Sequence, residues 1–148
     1  MAIEFYSTND PYGEFSNFAS FPITLDGQAW PTSEHYFQAQ KFDDAAYREK
    51  IRVAGSPMVA ARLGRSRSVP IRADWESTKI DVMRRAVMAK FTTHAVLREL
   101  LLSTGDEPLV EAADGDSFWG CGRNGDGKNW LGRILMEVRS RLREEAQP

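Results

Sequence analysis

The sequence predicts an α+β fold: a mostly helical single domain, residues 1–148, with a small antiparallel sheet. Three observations support this prediction. The first third of the chain contains short extended segments separated by turn-forming residues, and helical patterns dominate from Ser33 onward. A length of 148 residues suits one domain and is enough to bury a sizeable core.

The extended segments come first along the chain. Ile3 to Tyr6 is a candidate strand, and the segments Phe21 to Leu25 and Gln28 to Trp30 flank the pair Asp26-Gly27. Asp-Gly is a favoured two-residue hairpin turn, because both central positions need a positive φ. The sequence therefore predicts a β-hairpin here, and Leu109-Val110 is a candidate for one further short strand.

Helices account for most of the remaining chain, and they are predicted over residues 33–42, 45–53, 57–64, 74–91, 93–103 and 131–145. Asp74 is expected to cap the long fourth helix, and Thr93 the fifth. Apolar residues at three- and four-residue spacing predict the core face of the long helix: Ile80, Met83, Val87 and Phe91.

Composition excludes several classes of protein. A net charge of −2 gives the chain no general attraction to nucleic acid, and one cysteine allows no internal disulfide. The chain has no apolar run long enough for a membrane helix and no signal-peptide pattern, so we expect a cytoplasmic protein without a membrane partner. The acidic residues of the last third fail the calcium-loop pattern, and there is no HExxH, so we expect neither a metal nor a cofactor.

Two familiar catalytic patterns also fail. Gly120 to Gly125 matches GxGxxG by letter, but only 23 residues follow it and they contain no further strand, which argues against a dinucleotide fold. A Ser/His/Asp hydrolase is a weak candidate, because the chain has two histidines and no GxSxG. Carboxylates, lysines and arginines remain to carry any chemistry.

The first candidate group lies in the segment 33–42. In one helix, Glu34, Gln38 and Lys41 would share a face with the aromatic ring of Phe37. A large aromatic among polar groups is typical of a pocket wall. The alternative is an amphipathic helix with an ordinary exposed Glu/Lys face.

Two other segments are candidates for binding. Trp75, at the start of the long helix, can stack on a heterocycle or ribose, or it can be a core residue behind an N-cap. A glycine-rich loop with tryptophans leads into the C-terminal helix, and its glycines let the backbone approach a ligand closely. This loop contains Asp116, Trp119, Gly120 and Gly122.

These segments together resemble YbiA-like, or NADAR, proteins. The resemblance is carried by Ser16-Asn17-Phe18, the segment SEHYFQAQKF (33–42), Asp74-Trp75, Lys90-Phe91, Leu109 to Ala112, Asp116 to Gly120 and Asn129 to Gly132, in that order. It implies a compact, mostly helical α+β domain with N-glycosidase activity. It also implies a ribosylated substrate: either phosphoribosylamino-pyrimidine intermediates of riboflavin synthesis or ADP-ribose attached to guanine in nucleic acid. A binding module without turnover is a further alternative.

The resemblance and the chemistry of C1′–N cleavage together suggest roles for these residues. Glu34 and Asp116 are the candidates for stabilising positive charge on the ribose and for handling protons or water. Lys41 either forms a Schiff base with C1′ or acts as a charged clamp. The expected substrate-binding residues are Asn17, Phe37, Trp75, Trp119, Gly120 and Gly122, and Arg65 and Arg67 are weaker phosphate candidates.

Overall fold

The computed structural model describes residues 1–146. These form two compact units, residues 1–19 with residues 91–146 (unit 1) and Ser20–Lys90 (unit 2). The strands are β1 (Ile3–Phe5), β2 (Ile23–Leu25), β3 (Gln28–Trp30) and β4 (Leu109–Glu111). The helices are α1 (Ser33–Ala39), α2 (Ala45–Arg52), α3 (Pro57–Arg65), α4 (Trp75–Thr93), α5 (Ala95–Ser103) and α6 (Trp130–Glu145). Within residues 1–146, no helix combines the length and apolarity needed to cross a membrane.

Unit 2 contains the predicted hairpin. Strands β2 and β3 pair antiparallel, with Ile23 opposite Trp30, and both turn residues have positive φ values, 54° at Asp26 and 77° at Gly27. The Asp26 carboxylate also accepts hydrogen bonds from the Tyr36 hydroxyl (2.9 Å) and from Arg85 (2.6 Å). The hairpin is thereby fixed to both α1 and α4.

Unit 1 is organised around a parallel strand pair. Strand β1 pairs with β4, with Ile3 opposite Leu109, and this parallel pair is a second two-stranded sheet that the sequence did not indicate. Asn129 then joins α6 to β4: its amide oxygen accepts from the Glu111 N–H and its amide nitrogen donates to the Leu109 carbonyl, both at 2.9 Å. A Cβ on Gly132 would lie 2.1 Å from the Leu109 oxygen, so α6 can approach the strand only with glycine there.

Two predicted helix caps are wrong. The carboxylate of Asp74 makes its hydrogen bonds to Arg72, at 2.6 and 2.9 Å, rather than to the N–H groups of α4. Thr93 is the last residue of α4, and α5 begins after His94, which provides no side-chain cap. Arg72 competes for the Asp74 carboxylate, which explains the first difference. Helix α4 extends to Thr93, which explains the second. The core face of α4 is confirmed at Met83, Val87 and Phe91, whereas Ile80 is half-buried.

We predict that Asn129→Ala lowers the free energy of unfolding by about 2 kcal/mol or more, because two backbone groups of β4 lose their partners. Asn129 also has a φ of 54°, which alanine disfavours. Asn129→Gly tolerates this φ and isolates the loss of the amide. Urea denaturation measures the change, and Asn124→Ala, in an exposed turn, is the control. A loss below about 0.5 kcal/mol in Asn129→Gly would show that the amide contributes little.

Candidate active site

The short helix α1 is buried on every side. All seven of its residues are buried, including Glu34 and Gln38, which are 8% and 7% exposed. Thr32 caps the helix by accepting a hydrogen bond from the His35 N–H. An amphipathic helix with an exposed Glu/Lys face is therefore excluded. Burying a carboxylate is costly without polar partners, so the groups that contact Glu34 determine how its charge is tolerated.

Gln38 is the hydrogen-bond partner that orients Glu34. Its amide nitrogen donates to the Glu34 carboxylate at 2.7 Å, one helical turn along α1. The Gln38 amide lies directly against Gly64 of α3, where an added Cβ would come within 1.9 Å of the amide oxygen. Gly64 therefore allows α3 to pack against the residue that holds the carboxylate.

The predicted helix is too long at its C-terminal end. Helix α1 ends at Ala39, Gln40 is its C-cap, and the Lys41 N–H bonds to the Gln38 carbonyl at 3.3 Å in a tightened turn. Lys41 therefore does not continue the helical stripe of Glu34 and Phe37. The Lys41 N–H follows a 3₁₀-type hydrogen-bond pattern that hydrophobic spacing does not reveal.

Lys41 nevertheless contacts the predicted pocket wall. Its ammonium lies 5.9 Å from the centre of the Phe37 ring and donates to the Gly64 carbonyl at 3.4 Å. Among residues 1–146, this carbonyl is its hydrogen-bond partner, and Lys41 forms no ion pair with the Glu34 carboxylate. Among the described residues, no carboxylate therefore pairs with Lys41 to stabilise its charged form.

Burial lowers the pKa of Lys41 to about 8. The Glu34 carboxylate acts in the opposite direction, while the positive charges of Arg67, Arg65 and Lys79 lower this pKa further. Desolvation and like charges both disfavour an ammonium, so they favour the neutral, nucleophilic amine.

The side chain of Trp75 packs against the ring of Phe37. The two ring centres are 5.1 Å apart, and both side chains are 5% exposed. In this conformation Trp75 offers little open face on which a base or sugar could stack. Its predicted stacking role stays a prediction, and in the structure its ring packs against Phe37.

The glycine-rich loop belongs to unit 1 and is tied together by its own hydrogen bonds. One Asp116 oxygen accepts from the N–H groups of Phe118 (2.9 Å) and Trp119 (2.8 Å). The Gly122 N–H bonds to the carbonyls of Ala113 and Asp116, both at 3.1 Å, so it is already used within the loop. In unit 1, Asn17 is buried and Trp119 is half-buried.

The structure therefore brings some of the predicted residues together. Within unit 2, Glu34, Phe37, Lys41 and Trp75 form one cluster, and we call this the Lys41 cluster. The roles predicted in unit 1 stay predictions: Asn17, Asp116, Trp119, Gly120 and Gly122.

Sequence reasoning placed Gln38 on the face of Glu34 without giving it a role, and it did not indicate Gly64 at all. The positioning role of Gln38 could have been found from its spacing of four residues after Glu34. The close contact at Gly64 depends on how α3 packs, and no local signal indicates it. Among residues 1–146, no three His, Cys, Asp or Glu side chains gather in a way that could hold a metal ion.

Comparison with known families identifies the family of this chain. The NADAR domain model matches residues 4–143. The chain belongs to the NADAR family. The match begins at the second residue of β1, ends within α6 and includes the residues of the Lys41 cluster.

Individual NADAR relatives are closely similar to this chain. The N-glycosidase YbiA of Escherichia coli (strain K12) is 61% identical over 140 residues, covering 95% of this chain and 88% of the relative. The NMR structure of E. coli YbiA has a TM-score of 0.90 and 60% identity, covering 97% of this chain and 86% of that one. The chloroplastic riboflavin biosynthesis protein PYRR of Zea mays is 48% identical, covering 95% of this chain and 25% of that longer protein.

We predict that Glu34→Gln reduces kcat at least about 100-fold, the scale of losing one general acid–base group. The Glu34 charge raises the pKa of Lys41, so its removal should shift that pKa below about 8. Steady-state kinetics measures kcat, and pH-dependent amine labelling of Lys41 measures the pKa. Glu49→Gln, on an exposed carboxylate of α2, is the control. Near-normal kcat with an unchanged melting temperature would remove Glu34 from the reaction.

Proposed function

We propose that this chain is an N-glycosidase that hydrolyses the C1′–N bond of small phosphoribosylamino-pyrimidine intermediates of riboflavin biosynthesis. NADAR membership supports the reaction class, and the names of the E. coli and maize relatives support the bond type and the metabolic context. We also propose that Glu34 and Lys41 act directly on the substrate, with Phe37 forming the pocket wall.

The observation that carries the mechanism is the environment of Lys41. Its ammonium is directed at a backbone carbonyl, and burial lowers its pKa to about 8. A clamp that grips a substrate by charge needs a permanently protonated lysine, whereas a nucleophile needs a neutral one. The Lys41 environment therefore favours the covalent route.

The covalent route begins with an opened sugar. A ribosylamine opens when O4′ takes a proton and the C1′–O4′ bond breaks, which leaves an iminium between C1′ and the pyrimidine amine. Neutral Lys41 Nζ adds to C1′, and a proton then moves from Nζ to the departing nitrogen. The C1′–N bond breaks with its electron pair on the released amine, and Lys41 is left as an iminium.

Water completes the reaction. It adds to C1′, loses a proton, and the resulting carbinolamine collapses to the sugar aldehyde and neutral Lys41. Glu34 is the proposed proton carrier in these steps, with its carboxylate oriented by the hydrogen bond from Gln38. The net reaction consumes one water and releases an amine and a pentose phosphate, so it needs no cofactor.

We predict that borohydride, added during turnover, traps the sugar on Lys41. Reduction of the iminium gives a stable secondary amine, and intact-protein mass followed by peptide mapping locates it. Lys41→Ala should lose the adduct, while Lys50→Ala, at an exposed lysine of α2, should retain it. Lys41→Arg keeps the charge but cannot form an imine, so we expect at least about a 100-fold loss of kcat. Substantial activity in Lys41→Arg would reject the covalent mechanism.

We predict that kcat/KM is higher for free phosphoribosylamines than for ADP-ribosylated DNA. The chain has a net charge of −2, and a pocket that contacts one phosphate should respond only mildly to salt. An enzyme that contacts a nucleic-acid backbone should instead lose affinity steeply as salt rises. Measuring kcat/KM for both substrates across a salt series separates the two. A preference for ADP-ribosylated DNA with a steep salt slope would favour the guanine-linked alternative.

A further inference from the structure

We propose that Arg67, with Arg65 as an auxiliary cation, binds the phosphate monoester of the substrate and makes the enzyme selective for phosphorylated ribosylamines. This inference rests on the proposed function, because it assigns a further residue to the same site. Arg67 lies just after α3, and its contacts place it beside Lys41.

Arg67 is anchored through one nitrogen and open at the others. Its Nη1 donates to the carbonyls of Gly64 (3.0 Å) and Ser66 (3.1 Å). Within residues 1–146, its Nε and Nη2 groups make no hydrogen bond, and the side chain is exposed. Two adjacent guanidinium N–H groups in this state can bind two oxygens of one phosphate.

The Gly64 carbonyl fixes the spacing between Arg67 and Lys41. It accepts from both side chains, so Arg67 Nη1 and Lys41 Nζ lie no farther apart than two hydrogen-bond lengths, roughly 6 Å. In an open-chain pentose 5-phosphate, C1 and the phosphorus are joined by six single bonds of about 1.5 Å, and rotation about these bonds lets the two atoms lie roughly 6 Å apart. A sugar whose C1′ is attacked by Lys41 can therefore place its phosphate on Arg67.

The charge around this position suits a dianion. Arg65, Arg67 and Lys79 all act on Lys41 with positive charge, and Glu34 is the opposing carboxylate. Arg65 is exposed and makes no hydrogen bond or ion pair with residues 1–146, so its charge is available to a ligand. This positive cluster stands in a chain whose net charge is −2.

Phosphate at Arg67 would also change the state of Lys41. Arg67 lowers the pKa of Lys41, and a bound dianion offsets that effect, so the pKa should rise on binding. The acid limb of the kcat profile should therefore lie at higher pH than that of kcat/KM, because kcat/KM reports the free enzyme.

The first test measures substrate preference. Arg67→Met should lower kcat/KM for the phosphorylated ribosylamine at least about 10-fold more than for the dephosphorylated riboside, the scale of losing a charge-assisted contact. Both substrates are measured well above the pKa of Lys41, where loss of the Arg67 charge does not change the fraction of neutral amine. Arg62→Met, at an exposed arginine of α3, is the matched control and should change neither substrate. Equal losses for both substrates in Arg67→Met, or an unchanged preference, would overturn the assignment.

The second test does not depend on turnover, so it separates failure of this site from failure of the proposed function. Acetic anhydride labels neutral amines, and the labelling of Lys41 across pH gives its pKa by peptide mass spectrometry. Inorganic phosphate should raise that pKa by on the order of one unit relative to chloride at matched ionic strength. The shift should vanish in Arg67→Met and persist in Arg62→Met. No shift in the wild-type protein would overturn the phosphate site.

A comparison of two ligands distinguishes two sources of phosphate. Ribose 5-phosphate carries a terminal dianion, whereas ADP-ribose presents an internal pyrophosphate whose phosphates are each singly charged. Ribose 5-phosphate should protect Lys41 from labelling at lower concentration than ADP-ribose, and Arg67→Met should weaken that protection. Stronger protection by ADP-ribose would contradict a monoester site.

Discussion

The proposed mechanism depends on one constraint: a carboxylate and a lysine must share a largely buried environment without forming an ion pair. A direct Glu34–Lys41 pair would hold the lysine charged and remove its nucleophilic form. The fold avoids this by giving each group its own partner, with Gln38 donating to Glu34 and the Gly64 carbonyl accepting from Lys41.

Helix α3 is central to that separation. The missing side chain of Gly64 makes room for the Gln38 amide, and its backbone oxygen serves Lys41 and Arg67 together. One residue therefore influences the carboxylate, the lysine and the proposed phosphate ligand. A bulkier residue at position 64 would press on Gln38 first, since the nearest atom to an added Cβ is the Gln38 amide oxygen. Such a substitution would disturb the orientation of Glu34 as well as the side-chain packing.

Much of the fold could be predicted from local pattern. The Asp26-Gly27 hairpin, the existence of six helices and the strand at Leu109 all follow from turn chemistry and periodicity, and the structure confirms them. Long-range contacts could not be predicted in this way. The parallel pairing of Ile3 with Leu109 joins segments more than a hundred residues apart. The Arg72–Asp74 pair, by contrast, is local, and the capping pattern did not take it into account.

The candidate site shows the same division. The sequence indicated three candidates by grouping them on one helical face: Glu34, Phe37 and Lys41. The helix ends at Ala39, however, so that face does not extend to Lys41. Their proximity survives because the chain turns tightly after the helix and Lys41 remains beside the Phe37 ring. Its lowered pKa comes from burial and surrounding charges, and those are properties of the packed chain rather than of the segment 33–42.

The pairing of β1 with β4 has a consequence for biosynthesis. Ile3 leaves the ribosome more than a hundred residues before Leu109, so the first strand must wait for its partner while those residues are synthesised. Contacts within residues 20–90 connect segments that emerge much closer together in time, and local contacts form faster than distant ones. Chain growth therefore favours early assembly of the Lys41 cluster, while the N-terminal strand stays open to non-native pairing until β4 appears.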